Sequence, residues 1–187
     1  MKKFELTNEF VTNMFGTKLF RIRALVEFGD VEAGELGGYV EKESNLGHDD
    51  NAWVYDNAWV YGNARVYGNA LVRGNAWVYD NAWVYGNAQV SGDARVRGNA
   101  RVCSDEDYAY AHGFGSVNRT TTFFRLKDGG VGVRCGCFYG TLAQFRDKIR
   151  ETHGETKKAQ EYLMLADLME LRFEEDENEV GNRKYVE

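Results

Sequence analysis

Residues 51–102 read NAWVYDNAWVYGNARVYGNALVRGNAWVYDNAWVYGNAQVSGDARVRGNARV, a run of nine near-identical hexads. Ala recurs at 52, 58, 64, 70, 76, 82, 88, 94 and 100, and Val follows each two residues later. Asn precedes every Ala except at Asp93, and Gly, Asp or Ser closes every hexad. Ala-x-Val-y alternates small apolar, variable, apolar, variable, the period-two signature of a strand with one buried face. The Gly-Asn or Asp-Asn pair between strands is turn chemistry, because these residues tolerate positive φ or bond their own backbone. A four-residue strand and a corner cannot bury a face alone, so the hexads stack on one another as a solenoid. A meander of hairpins would leave two open edges and would need nine identical registers in a row. Proline is absent from the chain, as expected where nearly every backbone N–H enters a ladder.

The stretch Val60-Tyr61-Gly62-Asn63-Ala64-Arg65 resembles the hexapeptide repeat of left-handed parallel β-helices. The residue after the aliphatic position departs from that pattern, being mostly Tyr where the family carries Gly or an acid. The resemblance implies a three-sided coil of 18 residues and a left-handed sense. Nine hexads then make three coils, about 14 Å tall at ~4.8 Å per layer. A second likeness is to prophage-borne and bacterial hexapeptide-repeat proteins, through LFRIRALVEFGDVEAGELGGYVEKESNL at 19–46 followed at once by NAWV repeats. The segment 123–154 is similar to the tail module of some of them. The resemblance implies homo-oligomers, dimers or trimers. It also implies either acyl transfer with a histidine base or, for prophage proteins, capture of a host factor such as a bacterial defence component.

With 18 residues per coil, the variable residues point outward on three faces. One carries Trp53, Tyr55, Leu71, Arg73, Gln89 and Ser91; the next carries Trp59, Tyr61, Trp77, Tyr79, Arg95 and Arg97. Arg65, Tyr67, Trp83, Tyr85, Arg101 and Cys103 make the last. So much outward aromatic surface exceeds what a small monomer usually leaves bare, so something covers it. Stacked ladders under caps, self-association, and a ligand or partner site are the three uses open to it. Trp59, Tyr61, Trp77, Tyr79, Trp83, Tyr85, Arg95 and Arg97 are the candidate binding residues. Arginine there suits phosphate or carboxylate, and a small nucleotide could stack on Trp59 or Trp77.

Outward from the repeat, the organisation reads as an N-terminal β cap (1–50), the β-helix (51–104), a C-terminal ββαα module (105–173) and an acidic mobile tail (174–187). In the cap, KFEL and TKLFRIRAL are two strands, and EFGDVEAGELGGYV is a glycine-broken loop. In the C-terminal module TTTFFRLKDGGVGVRCGCF forms a hairpin about Asp128-Gly129. Thr141 to Gln144 is a capping box opening a helix with Leu142, Phe145 and Ile149 on one side, closed at His153-Gly154. A second helix runs from Lys157 to Phe173 with Tyr162, Ala166, Met169 and Phe173 on one face.

The formal net charge of −6 and pI near 5.2 argue against duplex nucleic acid or a membrane surface as partner. The repeat block departs from this, with five Arg against three Asp. No apolar run is long enough to span a membrane, and MKKFELTNEF lacks the apolar stretch of a secretory signal. Three cysteines, two of them at Cys135-x-Cys137, fit a reduced, cytoplasmic protein. Cys-x-Cys is not the usual zinc spacing, so both read as strand residues and no metal or cofactor is expected. None of His48, His112 and His153 lies in the coils. His112, read as a loop histidine in AYAHGFGS, is the one candidate base for an acyltransferase. The expected function is binding without catalysis.

Overall fold

The computed structural model describes residues 2–116 and 119–174. Strands β1 (Phe4–Thr12) and β2 (Lys18–Ala24) form an antiparallel hairpin, and β3 (Leu36–Val40) pairs antiparallel with β2. Each hexad then supplies one two-residue strand: β4 Trp53–Val54, β5 Trp59–Val60, β6 Arg65–Val66, β7 Leu71–Val72, β8 Trp77–Val78, β9 Trp83–Val84, β10 Gln89–Val90, β11 Arg95–Val96 and β12 Arg101–Val102. They stack in parallel as three sheets, β4-β7-β10, β5-β8-β11 and β6-β9-β12. The three faces expected from the sequence are therefore the three sides of the β-solenoid.

The glycine-broken loop expected before the first hexad is instead a strand. Tyr39 and Val40 of β3 pair in parallel with Trp59 and Val60, and Leu46 bridges Val66, so this segment adds a partial coil. The solenoid is about four layers tall, one more than the hexads alone provide. The glycines there serve close approach. A Cβ on Gly37 would lie 2.5 Å from the Val54 carbonyl oxygen, and one on Gly38 2.7 Å from that of Ala58.

Every hexad Ala and Val is fully buried, giving a core of small and branched side chains along the axis. At the corner after β4, the Ala58 N–H donates to Tyr55 O at 3.1 Å across a turn whose first central residue, Asp56, has φ of 53°. Asp80 (61°) and the hexad glycines repeat this, as at Gly62 (69°), while the following Asn keeps negative φ. Positive φ at the first central residue alone is the type II′ pattern, which explains Gly or Asp before Asn. The Asn side chains then stack, Asn51 Nδ2 donating to Asn69 Oδ1 (3.1 Å) and Asn69 Nδ2 to Asn87 Oδ1 (3.2 Å).

The ladder leaves backbone groups open at its two ends, and the caps satisfy them. The outward residues of each hexad donate to the following coil, as in Trp53 N to Ala70 O (3.1 Å) and Tyr55 N to Val72 O (2.8 Å), and the terminal coils leave such groups for the caps to satisfy. The N-terminal cap supplies donors and also an acceptor, Glu41 Oε2 for Gly62 N (2.6 Å). Tyr39 N reaches Ala58 O (2.9 Å), the Asn45 amide reaches the carbonyls of Gly62 and Ala64, and the buried Lys3 Nζ reaches Ala52 O (2.8 Å). The C-terminal end supplies acceptors and also a donor, the Tyr108 hydroxyl to Gln89 O (2.7 Å). Gln89 N donates to Asp105 Oδ1 (2.7 Å), Ser91 N to the Tyr108 hydroxyl (3.2 Å) and Arg95 N to Thr122 Oγ1 (3.0 Å). Both open edges are thereby closed, as a short solenoid requires.

Beyond the coils, β13 (Tyr108–Phe114), β14 (Arg119–Arg125), β15 (Val131–Cys135) and β16 (Phe138–Thr141) form one antiparallel sheet, followed by α1 (Leu142–His153) and α2 (Lys157–Phe173). The expected hairpin is β14–β15. The expected two strands become four, because YAYAHGF and FYGT pair on either side of it. Thr141 caps α1 by accepting from Gln144 N, and Phe145, Ile149, Tyr162, Ala166, Met169 and Phe173 pack with Phe123 and Val133 between helices and sheet. The opposite sheet face carries Phe124 and Tyr108 into the solenoid core. In the link to the module, Asp107 and Arg125 are both buried and face each other, Asp107 Oδ2 also accepting from Cys103 N (2.9 Å). The acidic stretch expected to be mobile at 174–187 lies outside the described residues apart from Glu174.

Candidate functional site

The first outward face, β4-β7-β10, is partly consumed by the N-terminal cap. Trp53 is fully buried, with Phe28 5.3 Å and Phe4 6.2 Å from it, both edge-on. On the third face, Trp83 lies between Arg101 (4.2 Å) and Arg65 (5.9 Å), and Tyr67 stacks on a buried Tyr85 at 5.2 Å.

The second face, β5-β8-β11, carries two columns with different fates. Tyr61 and Tyr79 stack at 5.1 Å, and Arg97 lies against Tyr79 (5.0 Å) and against Tyr139 of the C-terminal sheet (4.6 Å). Arg97 also pairs with Asp80 at 2.8 Å, and Arg134 Nε donates to the Tyr79 hydroxyl at 3.2 Å. Burial pushes the Tyr61 phenol well above its ordinary range. This column fastens the C-terminal module to the coils.

The other column stays open. Trp59 and Trp77 stack at 4.6 Å with planes 6° apart, and the Arg95 guanidinium covers Trp77 at 4.2 Å. Beside it run the corner residues Asn57, Asn75 and Asp93, and together the two columns line a trough of about 830 Å³. Met14, in the β1–β2 turn, stands at the lower end; Arg119, Thr120, Arg134, Gly136 and Cys137 stand at the upper end. Of the eight residues singled out from the sequence, Trp59, Trp77 and Arg95 come together here. Tyr61, Tyr79 and Arg97 anchor the module, and Trp83 and Tyr85 lie on the third face. Three residues the sequence did not single out, Met14, Arg119 and Arg134, complete the trough from elements far apart in the chain.

The trough is electropositive in an acidic protein. Three arginines face one carboxylate, Asp93, whose Oδ1 already accepts from Asn75 Nδ2 at 3.2 Å. Arg134 is occupied with Tyr79 and the Phe138 carbonyl. Among the described residues neither Arg95 nor Arg119 makes an ion pair. The Arg119 guanidinium lies over Gly136, in the space a Cβ would fill. The indoles add to this field, because an aromatic ring is positive at its edge. With Trp59 on one side and Arg95 on the other, Trp77 has no bare face for a nucleobase.

His112 lies on β13 rather than in a loop. It is exposed, its Nδ1 2.9 Å from the Thr120 hydroxyl. Cys135 ends β15 near the Thr121 hydroxyl (3.2 Å), whereas Cys137 is in the following turn and not on a strand. Among the described residues no group of three His, Cys, Asp or Glu is placed to hold a metal ion. No helix among them is long and apolar enough to cross a membrane.

The YdcK beta-solenoid repeat family matches residues 58–74, 64–80 and 88–104. The coils are a β-solenoid repeat. The matched stretches contain Trp59, Trp77 and Arg95, while Met14, Asn57 and the trough residues from Arg119 to Cys137 lie outside them. No curated protein matches the sequence.

Proposed function

We propose that this repeat scaffold is a binding protein without catalysis, which captures a protein partner through the trough on its second face. The supporting observation is the pair of arginines, Arg95 and Arg119, held without ion pairs among the described residues, beside two stacked indoles. Trp and Arg are the residue types that dominate binding hot spots. The trough is open along its length, which suits a macromolecule better than a small ligand that must be largely enclosed. Capture of a host factor, with inhibition of a defence component as one form of it, is the finer version supported by the resemblance to prophage proteins. A left-handed coil and homo-oligomeric assembly are supported by the resemblance to hexapeptide-repeat β-helices, and a cytoplasmic setting by the free cysteines.

Tagged protein purified from bacterial lysate tests the reading. A partner identified by mass spectrometry is expected with the wild type and with the third-face control Trp83→Ala, and is expected to be lost with Arg95→Glu. Retention by Arg95→Glu would remove the trough from the function. The acyltransferase alternative has one supporting contact, His112 on Thr120 at the rim of the trough. It requires acetyl-CoA binding and an activity lost in His112→Ala; titration calorimetry with acetyl-CoA is expected to show no heat of binding.

A further inference from the structure

The two ends of the trough differ in chemistry, and that difference specifies what fits. Arg95 and Arg119 are concentrated at the upper end, against the C-terminal sheet. The lower end has Trp59, Asn57 and Met14 and no charge. Met14 belongs to a preorganised turn, because Asn13 Oδ1 accepts from Phe15 N (2.9 Å) and Thr17 N (3.0 Å). Met14 is 83% exposed, so the turn holds a large apolar side chain in water at the trough's mouth. A rigid apolar tip loses little entropy on docking.

The geometry points to an extended acidic peptide segment as the occupant, carboxylates on Arg95 and Arg119 and an apolar residue between Trp59 and Met14. This rests on the binding-scaffold reading and adds the partner's chemistry. Guanidinium groups pair with carboxylates in two parallel hydrogen bonds, which gives direction as well as attraction. The Asn57–Asn75 column beside the indoles offers amides to a peptide backbone. Single-stranded nucleic acid fits less well, since it needs aromatic faces for its bases and a continuous cationic track. Trp77 has both faces taken, and the cations occupy one end only.

Fluorescence anisotropy with two labelled probes, octaglutamate and octadeoxythymidylate, decides it at low ionic strength. Octaglutamate is expected to bind more tightly than the oligonucleotide, to gain when two leucines are added at one end, and to weaken at least ~10-fold in Arg95→Glu. Arg119→Glu, which changes a side chain that makes no ion pair among the described residues, is expected to act likewise. Met14→Ala is expected to erase the gain from leucine while leaving octaglutamate binding intact. Tighter binding of the oligonucleotide would overturn the peptide assignment in favour of nucleic acid. Binding of neither probe, or binding of octaglutamate unchanged by both arginine substitutions, would overturn the acidic ligand. In those cases the scaffold reading still stands or falls separately, on the lysate experiment with Arg95→Glu.

Discussion

Trp53 and Trp77 occupy the same position in hexads 51–56 and 75–80, which are identical as NAWVYD, yet the fold uses them for different purposes. Trp53 is fully buried under Phe4 and Phe28 and belongs to the core that holds the N-terminal cap on the coils. Trp77 is half-buried, packed between Trp59 and Arg95, with its edge toward an open trough. The hexad decides that a side chain points outward. Whether outward means core or surface is decided by residues 1–50 and 105–174, which cover one side and leave another bare.

The strongest challenge to this contrast is Trp53→Ala. It leaves a large cavity under the cap and is expected to cost ~4 kcal/mol by urea unfolding, within the range for buried aromatic truncations. Trp53→Phe should cost far less, because the Trp53 indole N–H is buried without a hydrogen-bond partner. Asp107→Ala attacks the opposite end. It removes the carboxylate that faces the buried Arg125 and accepts from Cys103 N, so a loss of ~3 kcal/mol is expected, with the trough's upper wall loosened as well.

Lys3 sharpens the comparison through pH. Burial lowers its ammonium from the ordinary 10.5 to about 8, against the pull of Asp49 and Asp50. Between pH 8 and 10.5 the unfolded chain therefore binds more protons at this residue than the folded one, and folding stability rises with pH across that window. Wild type is expected to gain stability relative to Lys3→Met between those limits, by on the order of 1 kcal/mol. Thermal unfolding of both proteins at pH 7.5 and pH 10 measures it. Smallest of all should be Trp77→Ala, expected to cost ~1 kcal/mol in the same urea assay while weakening octaglutamate binding.

Much of the architecture was legible in the sequence because the hexad repeats a strand and a corner without error. The in-and-out alternation, the three faces, the corner residues and the cores of both helices follow from spacing and side-chain type alone. Leu36–Val40 was misread because glycine signals a loop when its neighbours are unknown. Only the packed first coil shows that Gly37 and Gly38 are there to let backbone meet backbone. YAYAHGF and FYGT were missed because neither carries the long β-branched run of β14. For the site, Trp59, Trp77 and Arg95 could be named from the stacking period. Met14, Arg119 and Arg134 could not, since their meeting depends on how two caps seat at opposite ends of the coils. Nothing in the hexads encodes that.

Acrylamide quenching of single-tryptophan variants, one retaining only Trp53 and the other only Trp77, tests the division between covered and working faces most directly. Trp53 is expected to resist quenching with or without octaglutamate, whereas Trp77 should be quenched in the free protein and protected when the peptide is added. Equal quenching of the two indoles, or a Trp77 signal indifferent to the peptide, would contradict the assignment of the second face as the binding surface.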